Sequence, residues 1–393
     1  MEGGNLQSTR LNRRVDETMM VGHLSDTHLG WYSRDGRAVE REDDYYNAFK
    51  EAVEIFVREH VDLVIHSGDI LDTPRPYGTA IKALVEGVQE LSKRNIPFLF
   101  TLGEHDLSNI PSTPYPMLLE KLGVGMYVGD GKTHEIKGLK VVGLHRHKKY
   151  ERSSLLEKLD KIGKAQTASG VKSILVLHQG LQDIAGPWAE LSLAELPEGF
   201  HYYAMGHYHE YAEKEHGVGL LSYPGPTHWV DMDEPDECGV NIVDLSGDIP
   251  AIHRQRLSNV RPKLRRGISG KKVMEALNEL TQLEYKIKPC LWLEVETEGR
   301  IDELLIEEKL GEKFIVQEIR TALPATAVDK IPDLKEFTLD AELRRLVMEV
   351  LDNNERNVSF ALDELLPLLA DREEASEAVW NYYRRGEWYD KAR

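Results

Sequence analysis

The chain has 393 residues, which is long enough for two or three domains, and its 41% of apolar residues is typical of a globular protein with a sizeable core. Its two cysteines, Cys238 and Cys290, exclude a disulfide framework and a thiol-rich zinc site, and they favour a reducing compartment. The net charge of −18 argues against a nucleic-acid-binding coat over the whole surface, and no apolar run of about 18 residues predicts a membrane span.

The first 19 residues are polar and have no apolar segment of the kind found in a secretory signal. We therefore predict that residues 1–19 form a mobile extension that precedes the first strand.

Short apolar segments rich in β-branched residues recur from residue 21 to about residue 256 and alternate with helical patterns. The predicted strands are Val21–Ser25, Val61–His66, Phe98–Leu102, Val141–Leu144, Ile174–His178, Tyr202–Met205 and Val240–Val243. The predicted helices are Tyr45–Glu59, Thr79–Arg94 and Ser153–Ala165. This alternation predicts an α/β domain of layered sheets flanked by helices over residues 20–257, completed by antiparallel strands.

A domain boundary is predicted within Ser258–Gly270, which is rich in charge and contains Pro262. After it, helical and strand patterns alternate and predict a small α+β domain over residues 258–325. Residues 326–393 are predicted to be a linker and a helical tail. One helical face of the tail consists of Leu343, Leu346, Val347, Val350 and Leu351. This face either packs back on the body or binds a partner.

Five of the predicted strands end in side chains that can bind metal ions. In chain order, these residues are Asp26 and His28, then Asp69, then Glu104 and His105 followed by Asp106, then His178, and finally His207 and His209. A single Asp-x-His or Gly-Asp is weak evidence, but the ordered set of five is not expected by chance. Because sites form at the carboxyl ends of strands in α/β sheets, we expect these side chains to meet.

Carboxylates and imidazoles without thiolates suit Mn²⁺, Fe²⁺ or Zn²⁺. One bridging carboxylate can hold two ions ~3.5–4 Å apart, the usual separation for phosphoester cleavage. Such a pair polarises the phosphoryl oxygens and supplies a nucleophile near neutral pH. The residues thus predict a two-metal phosphoesterase.

The order Asp-x-His, Gly-Asp, Gly-Glu-His-Asp, His and Gly-His-x-His resembles the pattern of calcineurin-like metallophosphoesterases. Within that superfamily the chain resembles the SbcD-type nucleases of double-strand-break repair. The stretches that carry the resemblance are residues 23–30 (HLSDTHLG), 66–72 (HSGDILD), 177–180 (LHQG) and 223–226 (YPGP). The resemblance is strong over about residues 20–256 and is architectural beyond them. It implies a calcineurin-like β-sandwich with a small capping domain and a helical tail.

The resemblance also implies a role for each site residue. One ion would be held by Asp26, His28, Asp69 and His209, and the other by Asp69, Glu104, His178 and His207. His105 would act on the phosphate as a general acid or transition-state stabiliser, oriented by Asp106. A histidine suits this role because its pKa of about 6.5 lets it protonate a leaving alkoxide.

Glu104 departs from the family pattern, which usually has Asn at this position. Glutamate is still an oxygen ligand, so metal binding is expected to survive the change. We expect tighter binding of the second ion and a weaker attraction for the phosphodiester.

The basic run from residue 249 to 274 contains eight Lys or Arg and no Asp or Glu. Its candidate phosphate-binding residues are Arg254, Arg256, Arg261, Lys263, Arg265 and Arg266. They either hold the phosphates of DNA beside the site or belong to a solvated linker.

The resemblance implies a Mn²⁺-dependent exonuclease and endonuclease that uses two ions per subunit, with Mg²⁺ or other divalent ions as alternatives. The implied partners are double-stranded DNA ends and an SMC-like ABC ATPase bound through the tail. No association with a membrane is expected. A homodimer is implied through helices near Thr79–Arg94 and Tyr115–Leu122, and a prokaryotic cytosolic, nucleoid-associated location is expected. The alternatives are a non-catalytic DNA-binding scaffold for the ATPase, and a phosphodiesterase or phosphatase for small or protein phosphoesters.

Overall fold

The computed structural model describes residues 19–32, 39–166, 171–269, 272–297, 301–322, 339–351, 354–369 and 372–385. Its strands are β1 (Met20–Leu24), β2 (Leu63–His66), β3 (Phe98–Phe100), β4 (Gly125–Tyr127), β5 (His134–Ile136), β6 (Leu139–Leu144), β7 (Ser173–His178), β8 (Tyr202–Gly206), β9 (Ala212–His216), β10 (Gly219–Tyr223), β11 (Gly239–Asp244), β12 (Ala251–Arg256), β13 (Lys263–Ser269), β14 (Cys290–Glu296) and β15 (Ile315–Ala322). Its α-helices are α1 (Glu42–Arg58), α2 (Gly78–Ser92), α3 (Leu118–Lys121), α4 (Arg152–Gln166), α5 (Gln182–Ala185), α6 (Val273–Thr281), α7 (Glu303–Leu310), α8 (Leu339–Val350), α9 (Glu355–Ser359) and α10 (Arg372–Arg385).

Two six-stranded sheets form the main body. The first has the order β12-β11-β1-β2-β3-β4, and the second has the order β5-β6-β7-β8-β10-β9. Both sheets are mixed. In the first sheet, β1 to β4 pair in parallel and the antiparallel pairs lie toward the β12 edge, whereas the second sheet has parallel pairs at its centre and antiparallel pairs at both edges. The predicted fold class, layered sheets flanked by helices with further helices at the C-terminus, is confirmed.

Strand β2 illustrates why the central strands read as continuous apolar runs. Leu63 and Ile65 belong to the core between the two sheets, whereas Val64 belongs to the core under α1 and α2. Alternate side chains of a strand point to opposite faces, so a strand covered on both faces needs apolar residues throughout.

The parallel register aligns the ends of the strands that carry the predicted site. Leu24 of β1 pairs with His66 of β2, and His66 pairs with Phe100 of β3. In the second sheet, His178 of β7 pairs with Gly206 of β8. The loops that follow these strands therefore begin at the same edge of the sandwich.

A three-stranded parallel sheet, β13-β14-β15, forms a small module with α6 and α7. No strand was predicted within Ser258–Gly270, where the domain boundary was expected, but Lys263–Ser269 pairs with β14 along its length. β13 has few alternating apolar residues, and its charged residues gave the segment no pattern typical of a strand.

A buried arginine, Arg41, connects the small module to the main body. Its guanidinium lies over the rings of Trp229, at 3.6 Å, and Trp31, at 4.2 Å. It also donates hydrogen bonds to the Trp229 carbonyl and to Gln317 Oε1 of β15. The fully buried charge is thereby compensated by ring faces and by acceptors from both parts.

The described residues divide into two compact units, up to Ala322 and from Leu323 onward. In the second unit, Phe360 stacks on Tyr382 with 3.9 Å between ring centroids, and Arg344 pairs with Asp363 at 2.6 Å. The start of the predicted linker and tail, residues 326–338, lies outside the described residues. No helix among the described residues is long and apolar enough to cross a membrane.

The predicted extension, residues 1–19, lies outside the described residues except for its last member. Met19 is not part of a mobile extension, because its carbonyl accepts a hydrogen bond from Leu245 N and its N–H donates to Ser246 Oγ.

Burial lowers the pKa of His23, His66 and His228 to about 3. The unfolded chain therefore binds more protons than the folded chain between about pH 6.5 and pH 3, and folding stability falls as the pH falls through this range. Burial and the neighbouring Asp69 raise the pKa of Asp106 to about 7, so the folded chain holds a proton there that the unfolded chain has lost. This effect opposes that of the three histidines but is smaller, because it involves one proton rather than three.

We predict that, in EDTA, the free energy of unfolding decreases by at least about 1.4 kcal/mol between pH 6 and pH 5. Urea unfolding followed at several pH values measures this slope. A free energy of unfolding that is constant or rises over this interval would show that these histidines are protonated in the folded protein.

Candidate metal centre and active site

The structure brings all seven predicted metal ligands to one edge of the sandwich. The loops after β1, β2 and β3 supply Asp26 and His28, Asp69, and Glu104, respectively. The last residue of β7 and the loop after β8 complete the set from the second sheet with His178, His207 and His209. The site therefore depends on both sheets and on how they pack.

Four of these seven ligands have a left-handed backbone that non-glycine residues rarely adopt. The φ angles are 51° at Asp26, 42° at His28, 51° at Asp69 and 94° at His207. Such strain persists only where the surroundings hold it, and it concentrates at functional sites. Here it turns each chain sharply at the strand end, so that the ligand faces its neighbours.

Glycines between the ligands allow their close approach. A Cβ at Gly103 would lie 2.1 Å from Asp69 Oδ1, and one at Gly68 would lie 2.4 Å from His178 Nδ1. A Cβ at Gly206 would lie 2.4 Å from the Ser67 carbonyl oxygen. No other residue type fits at these three positions without moving a ligand or its support.

One group of ligand atoms consists of Asp26, His28 and His209, all within 4.8 Å of one another. His28 Nε2 lies 3.3 Å from His209 Nε2, and His209 Nε2 lies 3.6 Å from Asp26 Oδ1. The Asp26 carboxylate also accepts a hydrogen bond from the His207 N–H, which connects the loops of the two sheets.

The second group consists of Glu104, His178 and His207. Glu104 Oε1 lies 3.0 Å from His207 Nδ1, and Glu104 Oε2 lies 3.2 Å from His178 Nε2. Asp69 lies between the two groups, with Oδ2 3.2 Å from His178 Nε2, and it also clusters with Asp26. These two groups and the intermediate Asp69 have the composition predicted for the two ion sites.

The surroundings of His178 test whether this donor set suits a cation. Its Nδ1 lies 2.7 Å from the Ser67 carbonyl, so Nδ1 carries the proton and donates it. In the neutral ring, the lone pair of Nε2 then faces the carboxylates of Asp69 and Glu104. Nε2 is buried and has no hydrogen-bond partner, so it requires either a second proton or a cation. A divalent ion ligated by these three residues meets that requirement.

The electrostatics of the cluster agree with this interpretation. Asp26 and Glu234 raise the pKa of His209 to about 10, against the opposing effect of burial. Asp69 and Glu104 likewise raise the pKa of buried His178 well above its usual value. The carboxylates thus favour positive charge on these histidines in the form of protons. Metal ions would supply that positive charge when they replace the protons.

His105 lies beside both groups. Its backbone N–H donates to Asp69 Oδ1 at 2.8 Å, and its Nδ1 lies 2.8 Å from the Asp72 carbonyl oxygen. Nδ1 therefore donates to this carbonyl, which leaves Nε2 available for a substrate. The ring is 4.8 Å from that of His28, measured between centroids.

The predicted orientation of His105 by Asp106 is wrong. The buried Asp106 carboxylate accepts hydrogen bonds from the N–H groups of Gly103, Leu71 and Ile70, and the Asp72 carbonyl orients His105. Asp106 instead ties the loop after β3 to the loop after β2. The sequence placed it next to His105 but could not show the direction of its side chain.

Two carboxylates that the sequence did not single out orient ligating histidines. Glu234 Oε1 lies 2.7 Å from His209 Nδ1, and Asp72 Oδ1 lies 3.2 Å from His28 Nδ1. Histidine ligands commonly donate their second N–H to a carboxylate, which fixes the tautomer and the ring orientation. That rule predicts such partners in general, but only the folded chain identifies them.

The predicted basic DNA-binding set does not form one surface. Arg261 is buried, with Nε 2.5 Å and NH2 2.8 Å from the Asp44 carboxylate, and Lys263 Nζ contacts backbone carbonyls of residues 231–234. The DNA-contact prediction is wrong for these two residues because their charges are used inside the fold. Arg254 is partly buried over the ring of Tyr211.

The remaining three basic residues are exposed. Arg265 pairs with Asp233 and lies over Trp292, Arg256 pairs with Glu237, and Arg266 donates to the Arg265 carbonyl. Exposed pairs of this kind break at little cost, so these residues remain accessible to an anionic partner.

A cleft of about 1210 Å³ adjoins the metal ligands. His105, Glu104 and Arg146 line it from the main body, and Gln317 and Glu318 line it from the small module. The cleft thus leads from the surface to His105.

A model of the calcineurin-like phosphoesterase family matches residues 19–211. A DNA double-strand break repair protein Mre11 from Saccharolobus solfataricus is 30% identical over 364 residues, which are 88% of this chain and 92% of that protein. This chain belongs to the Mre11 family. The Mre11 protein of Thermoplasma acidophilum is 32% identical over 70% of this chain and 76% of its own length. That of Methanococcus maripaludis is 28% identical over 93% of this chain and 99% of its own.

Membership of the Mre11 family and the ligand clusters together establish a metallophosphoesterase site that uses divalent metal ions. The resemblance on which the functional expectations rest is therefore confirmed at the level of the family.

Asp106 offers a test of the corrected assignment. We predict that Asp106→Ala lowers the free energy of unfolding by about 3 kcal/mol or more, because it leaves three buried N–H groups without an acceptor. Asp106→Asn, which keeps one acceptor oxygen, should lose less. Urea unfolding of both variants measures the difference. Unchanged stability together with a large loss of phosphodiesterase activity would restore Asp106 as the residue that orients His105.

Proposed function

We propose that this chain is a divalent-metal-dependent DNA nuclease that processes DNA ends in double-strand-break repair, with both exonuclease and endonuclease activity. The observation that carries the proposal is the set of seven ligand side chains in two groups, with His105 beside them at the end of an open cleft. The printed names of the relatives as DNA double-strand break repair proteins support the choice of DNA.

In this proposal, Asp26, His28, Asp69 and His209 hold one ion, and Asp69, Glu104, His178 and His207 hold the other. When bound, such a pair of ions polarises the phosphoryl oxygens and activates a water molecule. Mn²⁺ is the proposed physiological ion, because a mixed set of carboxylates and imidazoles suits it.

His105 acts on the leaving group. Because its Nδ1–H is held by the Asp72 carbonyl, Nε2 is the nitrogen that faces the cleft. In the protonated ring, Nε2–H donates to the leaving oxygen and stabilises the charge that develops there. The carbonyl keeps the ring in place while the proton is transferred.

DNA reaches this centre through the cleft, whose volume of about 1210 Å³ and walls from both the main body and the small module suit a polymer rather than a small phosphoester. Arg256, Arg265 and Arg266 supply exposed positive charge for phosphates. The net charge of −18 limits binding elsewhere on the surface.

We further propose that the tail binds an SMC-like ATPase and that the chain forms a homodimer in the prokaryotic cytosol. In the tail, Leu346, Leu366 and Leu369 are exposed apolar residues. On the first unit, Tyr115, Leu118, Leu122 and Met126 are exposed around α3, which suits burial against a second copy.

We predict that the purified protein cleaves linear and hairpin duplex DNA in Mn²⁺. His105→Ser should lower the rate at least about a hundredfold, because general acid catalysis contributes on that order. Mn²⁺ affinity should remain close to that of the parent, because His105 is not one of the proposed ligands. Denaturing gels and calorimetric Mn²⁺ titration measure these two quantities.

The same assay separates the alternatives. Cleavage of para-nitrophenyl phosphate diesters without cleavage of DNA would identify a small-molecule or protein phosphoesterase. Metal binding without cleavage of either substrate would indicate a non-catalytic scaffold.

A further inference from the structure

Glu104 differs from the other ligands because it contacts a buried arginine. Arg146 Nε lies 3.0 Å from Glu104 Oε2, and the arginine side chain is only 11% exposed. Arg146 follows β6, which is not one of the strands whose ends supply the metal ligands. None of the sequence motifs of the site includes this residue.

The other donors of Arg146 are used within the protein. NH1 donates to Gln179 Oε1 at 2.7 Å and to the His147 carbonyl, and NH2 donates to Glu190 Oε1 at 2.8 Å. Glu190 in turn accepts a hydrogen bond from Gly180 N. Because NH1 and NH2 donate to protein acceptors and Nε lies against Glu104, Arg146 is a poor candidate for direct contact with a phosphate.

The position of Arg146 on Glu104 is specific to one carboxylate oxygen. Oε2 contacts the guanidinium and also lies 3.2 Å from His178 Nε2, whereas Oε1 faces His207 Nδ1 at 3.0 Å. An amide at this position would offer one uncharged oxygen and would carry no negative charge for a cation to compensate. A carboxylate offers two oxygens and adds one negative charge to a cluster that already contains Asp26 and Asp69.

We propose that Arg146 offsets the charge of Glu104, so that Glu104 serves the second ion as a charge-compensated ligand. Arg146 is thus a positioning residue that sets metal affinity, and Gln179 and Glu190 hold its guanidinium group in place. This inference rests on the proposed two-ion site but not on DNA as the substrate.

A double-mutant cycle measured by calorimetric Mn²⁺ titration, without DNA, tests the inference. The four proteins are the parent, Arg146→Gln, Glu104→Asn and the double variant. We expect Arg146→Gln to tighten Mn²⁺ binding by about threefold or more in the parent, because it removes a nearby positive charge. In the Glu104→Asn background, the same change should alter affinity less than about twofold.

Arg146→Lys is the matched control, since it keeps the charge and loses the planar fork. It should leave Mn²⁺ affinity close to that of the parent, and thermal unfolding shows whether each variant is folded. If Arg146→Gln does not fold, the cycle is incomplete and the inference is tested by Arg146→Lys alone. A loss of Mn²⁺ affinity in Arg146→Lys would then contradict charge compensation.

Two other results would overturn the inference. Weaker Mn²⁺ binding by Arg146→Gln than by the parent would mean that the arginine is needed only to hold the carboxylate in place. Equal changes in both backgrounds would mean that Arg146 acts independently of Glu104. A parent that binds no Mn²⁺ would overturn the proposed function as well, whereas binding without coupling overturns this inference alone.

Discussion

The structure depends on a concentration of buried carboxylates and imidazoles at one edge of the sandwich. Asp26, Asp69 and His178 are almost fully buried, and ionised carboxylates cannot stay in such a place without compensating positive charge. The geometry of His178, with one nitrogen committed to a carbonyl and the other facing two carboxylates, shows where that charge belongs. The edge is therefore stable as a unit only when it holds protons or metal ions.

The rest of the fold brings these groups together and holds them there. Parallel pairing starts the loops of β1, β2 and β3 at one edge, and the core between the sheets brings the loops of β7 and β8 to the same edge. Strained backbone at Asp26, Asp69 and His207 then turns the side chains toward one another. The small module, attached through Arg41, forms the far wall of the cleft.

The ligand set could be predicted from the sequence because each ligand directly follows an apolar strand. Parallel strands make adjacency at an edge a consequence of order along the chain. The partners of Asp106 and the burial of Arg261 could not be predicted in this way. They depend on the direction of a side chain and on residues 35 to 217 positions away, Asp106 with Ile70 and Leu71 and Arg261 with Asp44.

Strand β13 was missed for a related reason. Its basic residues resemble a solvated linker in composition, and only pairing with β14 makes them a strand. The same lesson applies to Glu104. Its departure from the family pattern was visible in the sequence, but the arginine that accompanies it comes from a loop 42 residues further along the chain.

Anomalous diffraction from a crystal grown with Mn²⁺ tests the central claim most directly. The account predicts two Mn²⁺ peaks ~3.5–4 Å apart. One would lie among Asp26, His28 and His209, the other among Glu104, His178 and His207, and Asp69 would contact both. A single peak, or two peaks without a shared Asp69, would contradict the two-ion site from which the proposed function follows.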